Sequence, residues 1–382
     1  VVAAASPRPA STTAAAALRC LIAARSASGM GLLRSVSVPF ENAMRSGVFL
    51  RREDRFTAKI RLDGSDDEIA AHCINPGRME AFVDPGARVW VQEKDPSKSR
   101  KTAHTWELIE RDGVMCSTNT QRPNALVAAV LAAKALSGFE DATDVAAERV
   151  LPHGATHAGP KSRCDFYCKD ADGWDHWIEV KNCHATYPDE PLLAGWGYFP
   201  DSVSERAARH CNELAALARR PRTRCTVIIV ASRADATRGV RPSDFHDPTF
   251  CAAARAAAAA GVSFRGLRAS HTVAGTTVDA EIPIDLSEPG PETLQALRRA
   301  WEACAPITGW DRTFGKDAPK RVANGEFAHN KGRAHCDAAP RPVASPHFTP
   351  RASGHFGEEG DAGTPAKKKR RPARGKKASK RA

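Results

Sequence analysis

Between Gly47 and Asn119, short runs of partly alternating apolar residues are cut by turn signals, and no other feature constrains the fold as strongly. The runs are FTAKIRL (56–62), EIAAHCI (68–74), ARVWVQE (87–93) and TWELIER (105–111). Between and after them stand Asp-Gly at 63–64, Asn-Pro-Gly at 75–77, Asp-Pro-Gly at 84–86 and Asp-Gly at 112–113. Glycine supplies positive φ and proline a preset φ, so each of these reads as a turn. Period-two runs broken this often are strands. Five short strands in so little chain predict a small barrel or a sandwich.

The period changes near residue 122. PNALVAAVLAAKAL (123–136) is a helix with Pro123 near its first turn. Then come an apolar strand at 164–168, the strand WIEVKNC (177–183) and a helix at 202–219 that opens with Ser202 and Glu205 at capping-box spacing. TVIIVAS (226–232), an alanine-rich helix at 250–260 and a strand VSFRGL (262–267) complete the alternation. Strands alternating with helices predict an α/β domain. The fold class is therefore mixed, a small β-barrel at 46–121 followed by an α/β domain at 122–288. PETLQALRRAWEACA (291–305) reads as one more helix, and the remainder of 289–382 lacks periodicity and is expected to be disordered. If the barrel is of the oligonucleotide-binding type, Trp90 and Trp106 are either core residues or surfaces on which bases stack.

The formal net charge of +12 sits at the ends of the chain. Residues 1–40 hold four arginines and no acid, and 367–382 hold ten Lys or Arg and no acid, leaving 42 basic against 44 acidic residues between them. Nucleic-acid affinity in the folded part must come from a local patch. The Ala-, Ser- and Arg-rich stretch 1–45 has the composition of an organellar transit segment. The basic tail fits a nuclear address, a polyanion tether or a solubilising end. No run reaches the roughly 18 to 20 apolar residues that span a bilayer, so no membrane partner is expected. Eleven cysteines without a CxxC pair point to free thiols, and the spacing of a structural zinc site is absent.

The chemistry concentrates in SRCDFYC (162–168) and WIEVKNC, joined through Asp172-Gly173. Alternation places Cys164, Phe166 and Cys168 on one face of the first strand, with Asp165 and Tyr167 on the other. On the second strand Glu179 and Lys181 share a face. Pairing of the strands brings Asp165 beside Glu179 and Lys181. Two carboxylates suit Mg²⁺ or Mn²⁺, and the Val180 carbonyl would add an oxygen. Lys181 would position a water or neutralise charge developing on phosphorus. A Glu-x-Lys triplet arises roughly once by chance in a chain of this length, so strand context carries the reading. The same residues also fit a cross-strand surface salt bridge.

These stretches resemble the sugar fermentation stimulation protein A (SfsA) family, whose members are similar in fold to PD-(D/E)XK nucleases. SRCDF (162–166) matches the family's Ser-Arg-x-Asp-Phe element, and EVK (179–181) its Glu-Val-Lys element. FLRREDRF (49–56), AHCINPGRM (71–79), DPGARVWV (84–91), TWEL (105–108), NTQRPN (119–124) and FPDSVSER (199–206) match as well, within a resemblance covering about residues 46–286. It implies an OB-like barrel, a PD-(D/E)XK nuclease-like domain and DNA binding. It also implies Asp165 and Glu179 as metal ligands, Lys181 as the catalytic lysine, and Asn124 or Glu148 as a further polar group from upstream.

The helix reading Arg-Gly-Gln-Lys-His in the family is Arg206-Ala207-Ala208-Arg209-His210 here, so Ala208 replaces a glutamine. Arg206, Arg209 and His210, with Arg163 and the barrel-loop Arg78, remain as phosphate partners. In the other reading, His210 packs on the inner face of its helix. The functions implied are a metal-dependent nuclease, a non-catalytic DNA-binding regulator that keeps the fold, or an organellar RNA-processing factor.

Overall fold

The structure is a computed structural model. It describes residues 31–304 except 55, 78, 80, 95–100 and 153–161. The segment before residue 31, expected to be a transit segment, and the tail after 304, including the basic end, therefore lie outside the described residues.

The first domain is a closed five-stranded barrel. Its strands are β2 (Met44–Asp54), β3 (Thr57–Leu62), β4 (Glu68–His72), β5 (Arg88–Glu93) and β6 (His104–Arg111), with β7 (Val114–Ser117) added outside β6. All pairs are antiparallel except β4 with β6, whose short parallel pairing at Ala71 and His104 closes the ring. The interior is filled by Phe49, Ile60, Val89, Val91, Trp106 and Ile109. Trp106 is fully buried, stacks on Phe49 at 5.0 Å between centroids and donates its indole N–H to the Leu108 carbonyl. Trp90 is 9% exposed. Both rings are buried, so the stacking alternative fails: Trp106 belongs to the barrel core, and Trp90 is buried without joining it.

The second domain is built on a seven-stranded sheet of order β1-β16-β15-β13-β10-β9-β8. Its central strands are β10 (Asp175–Cys183), β13 (Thr223–Ala231) and β15 (Ser263–Thr272), which run parallel. β9 (Arg163–Lys169), β8 (Thr143–Val150), β16 (Gly275–Ile282) and β1 (Val36–Pro39) join antiparallel. Helix α1 (Arg122–Ala132) covers one face through Leu126, Val127 and Val130 over Ile178, Val180, Ile228 and Val230. Helices α2 (Glu205–Ala218) and α3 (Pro248–Ala259) cover the other, over Trp177, Val227 and Ile229. Two covered faces explain why TVIIVAS is apolar without alternation. A small sheet of β11 (Ala185–Thr186), β12 (Trp196–Phe199) and β14 (Gly239–Pro242) packs with α4 (Pro291–Ala303). Arg233, fully buried, ties the domains together through Asp235 at 2.7 Å and Asp112 of the barrel at 3.6 Å.

Two expectations change. Residues 31–45, read as leader, belong to the fold: β1 pairs with β16 from Val36↔Val278 to Pro39↔Gly275, and the Gly31 amide donates to the Ser137 hydroxyl. Composition concealed this strand because VSVP is too short to show a period. The cap of α2 is Ser204, whose hydroxyl accepts from the Ala207 amide, and not Ser202. The Ser204 amide in turn donates to Asp247, itself the N-cap of α3, so a tertiary contact moves the helix start.

Candidate active site where β9 and β10 part

β9 and β10 leave a five-residue connection, 170–174, with Gly173 at φ 72° and the Asp170 carboxylate accepting from the Asp172 and Trp174 amides. The ladder runs from Asp175↔Lys169 to Ile178↔Phe166 and stops. Beyond that point β10 continues beside β13 to Cys183, while β9 turns away. Side-chain bonds fill the gap. Asp165 Oδ2 accepts from the Val180 amide at 2.6 Å, and Cys164 Sγ lies 2.9 Å from the Ile178 carbonyl. The divergence also breaks the expected alternation. Cys164 packs with Tyr167 and Trp177 beneath α2, whereas Phe166 and Cys168 pack beneath α1.

Asp165 is half-buried, and its Oδ1 accepts from Asn124 Nδ2 at 2.9 Å. The Asn119 side chain fixes the entry to α1 by accepting from the Gln121 amide, which presents Asn124 from the helix's first turn. Glu179 is 4% exposed, and its Oε1 accepts from Lys181 Nζ and from His210 Nδ1. His210 Nε2 accepts from Arg206 Nε at 3.5 Å, which assigns the ring proton to Nδ1. Glu179 and Lys181 thus lie on the α2 face of the sheet, among buried groups. The surface salt-bridge reading is excluded by that burial.

The two acids are pushed in opposite directions. Burial, then the charge of Glu179, raises the pKa of Asp165, against the opposing Val180 amide and Lys181. Burial alone would raise Glu179 too, but Lys181 and His210 outweigh it and hold it at about 2. Asp165 is therefore the acid for which burial and the charge of Glu179 outweigh the nearby Lys181. A hard divalent cation would add positive charge there, and two carboxylates are what Mg²⁺ usually takes from protein. Among the described residues no three His, Cys, Asp or Glu side chains converge as a metal cluster. The remaining positions around such an ion would fall to water, main-chain oxygen and phosphate. The residues fit Mg²⁺ or Mn²⁺ on those terms.

Asp165, Glu179, Lys181 and Asn124 are thus brought together. His210 is redirected: it is 4% exposed and bonded to Glu179, so it is no phosphate partner. Its spacing with Leu214 and Leu217 on the buried side of α2 was the available signal. Glu148 stands on the edge strand β8, 63% exposed and 3.6 Å from Arg163, so it does not join the trio. Arg163, Arg206 and Arg209 are exposed, Arg209 lying 3.8 Å from Glu213. The Arg78 side chain lies outside the described residues. Ala208, where the resemblance leads one to look for glutamine, is buried in the core beneath α2.

Comparison with known proteins agrees with this architecture. Residues 50–118 match the "SfsA N-terminal OB domain" model and 121–275 the "Sugar fermentation stimulation protein RE domain" model. A sugar fermentation stimulation protein homolog of Dinoroseobacter shibae is 32% identical over 254 residues, 66% of this chain and 98% of the relative. The homolog of Alkalilimnicola ehrlichii is 37% identical over 249 residues, 64% of this chain and 98% of its own length. The structure of Pyrococcus furiosus SfsA in complex with Ca²⁺ superposes with a TM-score of 0.55 at 21% identity, covering 65% of this chain and 99% of that one. With both domain models matched in order and relatives covered almost end to end, the chain belongs to the sugar fermentation stimulation protein family.

Proposed function

We propose that this protein binds nucleic acid, DNA foremost, and hydrolyses its phosphodiester bonds with Mg²⁺ or Mn²⁺ held by Asp165 and Glu179. One observation supports the reading: at the point where β9 and β10 part, two carboxylates lie near one ammonium, and that ammonium, bonded to Glu179, does not offset the burial of Asp165. The Ca²⁺ named for the Pyrococcus furiosus relative belongs to the same class of hard, oxygen-seeking cations.

When bound, the ion would polarise a phosphoryl oxygen and acidify a water. The chain's own residues do the rest. Asn124 and the Val180 amide aim Asp165, each donating to one of its oxygens. His210 and Lys181 keep Glu179 ionised and fixed. Lys181, only partly exposed, holds positive charge beside the acids where a phosphate would gain it. Arg163, Arg206 and Arg209 offer exposed guanidinium groups to the backbone of a bound strand.

The deciding experiment incubates the full chain and its Glu179→Ala variant with single- and double-stranded DNA and RNA, with Mg²⁺, Mn²⁺ or EDTA. Cleavage that needs metal and is absent from the variant supports the proposal. Metal-independent binding without cleavage favours a regulator that keeps the fold, a reading to which the exchange at Ala208 lends weight. Cleavage confined to RNA would make it an RNA-processing factor. For residues 1–30 we keep the role of an organellar address, chloroplast ahead of mitochondrion, with a nuclear role for the basic tail as the competing reading. A fluorescent reporter fused to 1–35 or to 367–382 separates them.

A further inference from the structure

A carboxylate of the barrel reaches the seam beside α1. Glu107 stands on β6 between Trp106 and Leu108, both fully buried, and is itself 5% exposed. Burying a carboxylate is costly unless its charge and lone pairs are met. Burial raises the pKa of Glu107, against the Asn119 donor and then the Arg122 guanidinium. Both of these opposing groups lie at the entry to α1, outside the barrel strands.

The contact fixes which way Asn119 faces. An ionised carboxylate accepts and cannot donate, so Glu107 Oε2 meets the amide nitrogen of Asn119, with Nδ2 at 2.9 Å. The other end, Oδ1, then faces α1 and accepts from the Gln121 amide at 2.9 Å. The Asn119 carbonyl accepts from the Arg122 amide at 3.1 Å, and its own amide donates to the Ser117 hydroxyl of β7 at 3.2 Å. Reversing the side chain would set two acceptors against each other at Glu107 and two donors at Gln121. One turn further on, Asn124 donates to Asp165 Oδ1 at 2.9 Å. Arg122 also bonds the Val38 and Pro39 carbonyls and Thr276, and Leu126, Val127 and Val130 pack on the sheet. Those anchors keep α1 docked without Glu107, so what Glu107 adds is the direction of the first turn.

We infer that Glu107 is a positioning residue: by orienting Asn119 it sets the first turn of α1, so that Asn124 holds Asp165 in the geometry that takes a divalent cation. This rests on the metal reading of Asp165 and Glu179, and adds that the barrel helps to build the site. Loss of a group that orients a metal ligand typically changes metal affinity by ~10- to 100-fold. Glu107 acts one link further back, which puts its effect at the lower end of that range.

The test follows Mn²⁺ binding to the full chain by electron paramagnetic resonance. A ¹⁵N-asparagine label reports the side-chain amide of Asn124, identified by its loss in Asn124→Ala. Glu107→Ala should raise the Mn²⁺ concentration for half-saturation about tenfold, but by less than about twofold when Asn124→Ala is already present. Without metal, the Asn124 amide should exchange with water faster in Glu107→Ala than in wild type. Glu107→Gln, which keeps an accepting oxygen, should restore both readouts. Asn119→Ala, which leaves the barrel strand untouched, should reproduce both losses. A merely structural role for Glu107 would lower affinity equally in the two backgrounds. That result, an Asn124 amide unmoved by Glu107→Ala, or no restoration by Glu107→Gln would each overturn the inference. If wild type binds no Mn²⁺, the metal reading fails, whereas the link from Glu107 to Asn124 stands or falls on the exchange measurement.

Discussion

Replacing Glu179 by Gln asks whether the site's charges are coupled as described. Glu179 is 4% exposed, and both of its donors, Lys181 and His210, bond to Oε1. Burial pulls its pKa up, but the donors prevail, taking it from an ordinary 4.5 to about 2. At ~1.4 kcal/mol for each tenfold, the ionised carboxylate contributes about 3 kcal/mol to folding. Losing one member of a buried pair generally costs ~3–5 kcal/mol, so an independent route reaches the same size.

The sign follows from proton binding. Between 4.5 and about 2 the unfolded chain holds the proton and the folded one does not. The contribution is therefore complete above the unfolded value and vanishes as pH falls through the folded one. In urea near pH 7 without metal, Glu179→Gln should unfold about 1 M earlier, for a slope of ~3 kcal/mol per molar. Near pH 3 the gap should shrink to less than half. A gap of equal size at both pH values, or no gap near neutrality, refutes the coupling.

Asp165→Asn should do the opposite. Burial and the charge of Glu179 raise the Asp165 pKa, so its stabilising contribution is present at low pH and lost as pH rises through the folded value. The variant should therefore have a higher urea midpoint than wild type near pH 7 without metal, while any metal-dependent cleavage disappears. Asn124→Ala removes the donor to Asp165 Oδ1 and should raise the metal concentration for half-maximal cleavage by ~10- to 100-fold, with an unchanged circular dichroism spectrum. A chain beginning at Asn42 lacks β1 and its half-buried Val36 and Val38, and should lose about 2 kcal/mol in equilibrium unfolding. An undiminished midpoint would show that β1 is dispensable.

The barrel was legible because turn residues stand where its strands reverse: Gly64, Gly86 and Gly113 all adopt positive φ. The α/β core was legible because helix and strand periods differ and β13 is an unbroken apolar run from Val227 to Ala231. β1, β8 and the small three-stranded sheet were not. β1 is four residues long, and β8 is exposed at nearly every position, so neither presents an apolar period. In the site, EVK on one strand and Asp165 on its neighbour could be placed by register alone. The roles of His210 and Asn124 could not, because they depend on how two helices approach the sheet from opposite faces. The break in alternation at Cys164 was equally hidden: it follows from where a ladder stops, and stopping is a tertiary event.

That break gives the strongest reason to regard the site as functional. Both faces of β10 are covered by helices, so apolar residues at 179 and 181 would pack at least as well as a buried ion pair, and replacing such pairs together is often neutral or stabilising. Asp165 is worse than neutral, since its ionised form is disfavoured by burial and by Glu179. Folding alone has no use for an under-compensated acid beside a strand divergence, with an asparagine and a main-chain amide orienting it. A cation between the carboxylates would remove that penalty, so the metal role proposed for the site is the one that would account for the cost of burying Asp165.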